Sequence, residues 1–285
     1  MEQRASTIEE YHQCVNRVVE YINEHLGEEI DLGMLADISH FSPYHFHRIM
    51  KAFLGEPLGM FIVRKRIETA ARLLRYSTMP VSDIAYKIGY SSPSSLSKVF
   101  KQFYGISPNE YRNNKSYSIM KPIEMNPKLD VSVEERMETA KQVIYVRLTG
   151  SYSGLKYMDA WKRLYAYVAE EKIYDECMEY LCIFHDDPKV TDPDKLRTDV
   201  CFVVPVPVQP KGEIGVKEIP GGKYLVFRYK GPYSQLGSVY DTIYGHWIPE
   251  KGYSISDHPG YELYVNDPRN TTPEELITDI YVPVV

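Results

Sequence analysis

Long apolar runs are missing from this sequence. No stretch approaches the ~18 apolar residues that a membrane-spanning helix needs, and the N-terminus has no basic-then-apolar targeting segment. The chain is therefore expected to be soluble, cytoplasmic and free of any membrane partner. Cysteine is scarce. Cys14, Cys177, Cys182 and Cys201 form no CxxC pair and no zinc spacing, which argues against a disulfide scaffold or a metal site and leaves reduced, partly buried thiols. Nucleophile elbows, metal triads and phosphate-cradling loops are absent too, so neither an enzyme nor a cofactor is expected. Tryptophan occurs twice against 25 tyrosines. At 44% hydrophobic and 25% charged the composition is that of a globular protein. A length of 285 residues suggests two domains, at roughly 100–200 residues each.

The net charge of -6 hides a strong segregation. Residues 1–40 carry two basic and nine acidic side chains, residues 41–115 twelve basic and four acidic, and residues 116–285 nineteen basic and twenty-six acidic. A basic block inside an acidic chain is the electrostatic footprint expected of one DNA-facing surface.

Residues 1–115 read as helices. Val15, Val18, Val19 and Ile22 recur at helical spacing. A helix carrying Leu32, Leu35 and Ala36 follows, then a break at 39–41, then a helix from Ser42-Pro43 to about Phe53. A long helix from Leu58 to Arg75 ends at Thr78-Met79-Pro80, and the short-helix, turn, second-helix pattern returns over 81–104 with Gly89 at the turn. Two helix-turn-helix units joined by one helix could hold two reading helices about one DNA turn, 34 Å, apart. A plain helical bundle is the competing reading. It fits less well, because the second helix of each pair carries short polar and basic residues outside. His45 and His47, two apart on a helix, point away from each other, so with His40 they suggest no metal site.

FSPYHFHRIMKAFLGEPLGMFIVRKRI and VSDIAYKIGYSSPSSLSKVFKQFYGISPNEYR closely resemble the DNA-binding domains of the AraC/XylS family. The match covers about residues 8–115. The resemblance implies seven helices, sequence-specific binding to asymmetric double-stranded DNA sites, and RNA polymerase as a partner. Carried over by position, the first reading helix presents Tyr44, His45, His47, Arg48 and Lys51, and the second Ser94, Ser95, Ser97, Lys98 and Lys101. Arg48 and Lys98 suit guanine O6/N7, and Lys51, Lys101 and Ser92 suit phosphates.

Residues 116–130, with two prolines and no helical period, read as a linker. Residues 131–285 read as α+β and contain an internal repeat. VIYVRLTGSYSGLKYMDAWKRLYAYV parallels YLVFRYKGPYSQLGSVYDTIYGHWI, MEYLCIFHDDP parallels PGYELYVNDP, and LRTDVCFVVPV parallels LITDIYVPV. Each copy is strand, helix, strand, strand behind an opening strand (131–137, then 214–219). Two copies in tandem are expected to pair into one curved sheet with the helices on one side and a ligand cleft along the pseudo-twofold axis.

This half resembles the GyrI-like effector-binding family, which also occurs in multidrug-responsive regulators and behind AraC-type domains in Rob-like regulators. Alignment of the repeats sets Cys182 opposite Glu262. Glu262 falls where the family's drug sensors keep an acid for cationic lipophilic ligands, which implies multidrug sensing. Strand parity and helix faces add Tyr264, Tyr281, Phe202, Trp161, Tyr229 and Trp247 as candidate lining, where aromatic rings add cation–π attraction of roughly 0.5–2 kcal/mol each. The alternatives are a solvated Glu262 among core aromatics, a hydrolase using Glu262 as base with Tyr264 or Tyr281, and a protein-capture module. The acidic loop 185–195 lacks the spacing of a calcium site and reads as solvated.

Overall fold

The computed structural model describes residues 2–285 except 40, 115, 127, 128, 130, 176, 177 and 257, with side chains from Ile8 onward. His40 of the histidine cluster and Cys177 therefore lie outside the described residues. The chain divides into two compact units, Met1–Ile119 with Lys211–Glu213, and Met120–Pro210 with Ile214–Val285.

The first unit is helical: α1 (Glu2–Glu24), α2 (Leu32–Ser39), α3 (Pro43–Leu54), α4 (Leu58–Tyr76), α5 (Val81–Lys87), α6 (Pro93–Tyr104) and α7 (Pro108–Asn113). The same local chemistry starts α3, α6 and α7. Ser42, Ser92 and Ser107 cap the first turns by accepting from the N–H of His45, Ser95 and Glu110, and a proline follows each cap. Left-handed Gly55 (φ 70°) and Gly105 (φ 73°) end α3 and α6. Val18, Val19, Ile22, Leu35, Phe46, Met50 and Phe61 form one core. Arg66 on α4 fastens that core to the second helix pair: Nε donates to the Leu26 carbonyl (3.0 Å), Nη2 to Glu28 (2.6 Å) and Nη1 to Gly89 (3.2 Å). Gly89, at φ 81°, has no room for a Cβ, which would lie 2.7 Å from Arg66 Nη2. Deeper in α4, Arg64 is buried between Glu56 (2.7 Å) and Glu68 (2.9 Å).

The second unit is one antiparallel sheet of β1 (Val131–Glu138), β2 (Lys141–Thr149), β3 (Tyr180–Phe184), β4 (Arg197–Val203), β5 (Gly215–Ile219), β6 (Gly222–Lys230), β7 (Tyr261–Tyr264) and β8 (Ile277–Pro283). The order is β1-β6-β8-β7-β3-β4-β2-β5. It reads the same from either edge when β1 to β4 are exchanged for β5 to β8. α8 (Tyr157–Glu171) packs on Ile144, Cys182, Val200 and Phe202. α9 (Leu236–Thr242), a π-turn (Ile243–Trp247) and α10 (Ile248–Lys251) pack on Phe227, Tyr229 and Ile280. Lateral pairing of Cys182 with Glu262 and of Glu262 with Ile280 puts both helical layers on one face. The second helical stretch runs without a gap from 236 to 251 but carries the π-turn, with Gly245 at its centre, where the first is a regular α-helix.

Tyr145, Leu181, Cys201, Tyr224, Tyr261 and Tyr281 form a core on the opposite face. There Asp199, fully buried, holds Arg147 (2.7 Å from both guanidinium nitrogens), His185 Nε2 (2.7 Å) and Lys217. The Arg147 and Lys217 cations, with the His185 hydrogen bond, hold the Asp199 carboxyl well below the usual range against the cost of burial.

Residues 120–126 of the expected linker and the loop 185–195 are more structured than the sequence suggests. Residues 120–126 are hydrogen-bonded to the second unit through Met120, Pro122, Glu124 and Asn126. The loop is not simply solvated. Asp186, Val190 and Thr191 are buried, and Asp186 pairs with Arg197 at 2.9 Å. An acid in a polar run becomes a core group when a distant arginine reaches it, and sequence spacing does not reveal that. Cys14, Cys182 and Cys201 are free and buried.

Candidate functional site

Two sites follow from this framework. On α3 the apolar Phe46, Ile49 and Met50 face inward, which turns Tyr44, His45, His47, Arg48 and Lys51 to solvent together. The Arg48 guanidinium lies over the Tyr44 ring (5.6 Å) with Nη1 3.5 Å from its hydroxyl. On α6, Leu96 and Phe100 face inward, Ser94, Lys98 and Lys101 are exposed, and Ser95 and Ser97 are half-buried. The Ser95 hydroxyl is engaged with the Ser92 cap at 2.9 Å. Neither helix contains an acidic residue. Each therefore offers a cationic, donor-rich ridge that suits phosphates and base edges.

The second site centres on Glu262. It is 2% exposed on the short strand β7, between Cys182 and Ile280. The Tyr264 hydroxyl donates to Oε2 at 2.9 Å. The Tyr240 hydroxyl of α9 faces the same carboxyl as a second donor. Burial pushes Glu262 up to about 7, and the two hydroxyls offset this only in part. Tyr157 on α8 and Tyr233, ahead of α9, are close enough for the Glu262 charge to raise their own pKa values on top of burial. Tyr233 meets the Tyr264 ring edge-on at 5.4 Å. Among the described residues the partners of Glu262 are tyrosine hydroxyls and not a cation. A ring of half-buried tyrosines over a buried acid suits an apolar cation, by charge and by cation–π attraction.

Of the candidates read from the sequence, Tyr264 is bonded to Glu262. Tyr281 is a correction: it stacks on Tyr261 (4.4 Å, 10°) on the opposite face, because it pairs with Tyr261 and not with Glu262. Phe202 and Trp161 share Glu262's face but stack on each other (5.3 Å) inside an aromatic cluster with Tyr165 and Tyr180. Tyr229 is buried with its hydroxyl 3.2 Å from Gln235 Oε1. Trp247 lines a shallow recess at the β1 edge with Val133, Phe227 and Tyr253. Tyr157, Tyr233 and Tyr240 were not singled out from the sequence. The repeated Gly-x-Tyr-Ser marks Tyr233, whereas the irregular helix hid the inward face that carries Tyr240. Among the described residues no group of three His, Cys, Asp or Glu side chains could hold a metal, and no helix is long and apolar enough to cross a membrane.

The fold is that of a helix-turn-helix unit joined to a sheet unit with a buried acid. A family model described as a GyrI-like small molecule binding domain matches residues 132–285, and a helix-turn-helix domain model matches residues 35–114. The chain belongs to the AraC family of DNA-binding transcription regulators and carries a GyrI-like small-molecule-binding domain. It is 35% identical to the HTH-type transcriptional activator AarP of Providencia stuartii over 34% of this chain and 73% of that protein. It is 29% identical to the regulatory protein SoxS of Salmonella typhimurium over 36% of this chain and 96% of that protein. A cryo-EM structure of an EcmrR–DNA complex is similar over 89% of this chain and 98% of that chain, at 16% identity and a TM-score of 0.47.

Proposed function

We propose that the chain is a cytoplasmic, ligand-responsive regulator. It reads double-stranded DNA through the outer faces of α3 and α6, and its second unit takes a small lipophilic cation beside Glu262 and so senses diverse drugs. Tyr264, Tyr240, Tyr157 and Tyr233 form the wall. RNA polymerase is the partner through which binding becomes transcription. Residues 1–115 are the DNA-binding domain, 116–130 the connection and 131–285 the effector domain, built of two tandem strand-helix-strand-strand copies. The palindromic strand order supports the tandem reading, with Glu262 beside Cys182 at the centre.

The observation that carries the ligand reading is a buried carboxyl whose partners are neutral hydroxyls. Burying an acid without a cation is costly, and a bound lipophilic cation would offset that cost. The test is calorimetric titration of the full chain with tetraphenylphosphonium and a neutral isostere, for wild type and Glu262→Gln. Micromolar binding of the cation, lost in Glu262→Gln while any binding of the neutral isostere is unchanged, is expected. Equal losses for both would remove the charge argument. Binding of neither would turn the second unit towards protein capture.

A further inference from the structure

Next to Tyr240 on α9 stand Asp241 and Thr242, both buried. They hold residues 120–126. Asp241 Oδ2 accepts the Glu124 N–H at 2.6 Å and Lys189 Nζ at 2.7 Å, and Thr242 Oγ1 accepts the Asn126 N–H at 2.9 Å. Lys189 also donates to the Pro122 carbonyl (2.5 Å), and its own carbonyl accepts the Met120 N–H (3.0 Å). The Met125 thioether lies against Gly245 in the π-turn, where a Cβ would come within 2.7 Å of its sulfur. This exposed segment is thus strapped by two hydrogen bonds to α9, by two more to Lys189, itself bonded to Asp241, and by one close contact with the π-turn.

The strap begins abruptly. Tyr117 is held within the first unit, with its carbonyl accepting from Arg75 Nη2 at 2.7 Å and its hydroxyl donating to the Tyr104 carbonyl at 3.0 Å. Three residues later Met120 is held within the second. Any change in how α9 grips the strap is therefore felt almost directly where the chain leaves the DNA-binding unit.

We infer that α9 is the coupling element, with Tyr240 reporting occupancy of the Glu262 site and Asp241 and Thr242 passing it to the strap. This rests on the ligand reading above. Glu262 is 2% exposed, so a cation reaches it only when the tyrosines over it give way. Tyr240 and Asp241 are adjacent on a helix of two turns, and the π-turn that follows is a local weak point. Displacement of Tyr240 moves the carboxylate that anchors the strap and loosens it.

The test is hydrogen–deuterium exchange of the peptide covering residues 118–128 in the full-length protein. In wild type, saturating tetraphenylphosphonium quickens exchange there by about fivefold or more, the lower end of ordinary coupling between sites. In Asp241→Asn the strap already exchanges fast and the cation adds nothing, while the cation still binds. Cation binding in wild type with no change in strap exchange overturns the proposal. If the cation does not bind at all, the ligand reading fails separately and Tyr240→Phe decides the coupling. A changed strap exchange without ligand supports the link from the Glu262 site to the strap, and an unchanged one overturns it.

Discussion

The Tyr264 hydroxyl donates to Glu262 Oε2 at 2.9 Å, between two residues on the same face of one four-residue strand. Strand periodicity makes the neighbourhood inevitable, but packing of α9 above it makes the acid buried. The two together set the acidity at about 7.

That acidity makes cation binding depend on pH. The cation needs the carboxylate, so its affinity should climb up to about tenfold per unit below pH 7 and level off above it. A flat titration profile between pH 5.5 and 8 in wild type would show that Glu262 is not the counter-ion.

Stability carries the same signature. Glu262 keeps its proton in the folded chain up to about pH 7 but loses it near its usual 4.5 when unfolded. The folded state therefore binds more protons across that window, and stability falls as pH rises through it, by on the order of 2–3 kcal/mol. Glu262→Gln should remove this loss, so its urea midpoint relative to wild type should be higher at pH 8 than at pH 5.

His185 acts in the opposite sense. Burial pushes it down to about 4, with the Asp199 carboxylate offsetting this only in part and Lys217 adding to it. The unfolded chain binds the proton first, so stability is lost as pH falls from about 6.5 to 4. His185→Gln should flatten that acid limb in urea titrations.

Arg64 should dominate the stability of the first unit. Arg64→Ala leaves Glu56 and Glu68 buried without their shared cation and is expected to cost about 3–5 kcal/mol. Thermal unfolding of the variant with Glu56 and Glu68 also made apolar should recover much of that loss.

Arg48, exposed and braced by Tyr44, should read a base. Arg48→Ala is expected to weaken a specific site by roughly 1–3 kcal/mol and relax base preference there. Uniform weakening across a library of sites in a binding-selection experiment would make Arg48 a phosphate contact.

Much of this molecule was legible in its sequence. Ser-Pro starts and glycine stops define α3 and α6, and 3.6-residue spacing selects their outer faces, so the placement of Tyr44, Arg48, Lys98 and their neighbours needs only local rules. Copy-to-copy alignment makes Cys182 the counterpart of Glu262, but that the two stand side by side where β3 and β7 pair is known only from the fold. Tertiary structure decided the rest. Tyr281 faces away because strand pairing, not the tyrosine content, sets which side chains share a face. Tyr240 reaches Glu262 only because the fold brings α9 over the strand that carries it. Asp186 is buried in a loop that reads as solvated and Asp241 on an amphipathic helix, because their partners, Arg197, Lys189 and the strap amides, are brought up by the fold and not by the chain nearby. Short-range chemistry is written in spacing; burial and the pairing of charges are not, because both depend on which distant residues arrive.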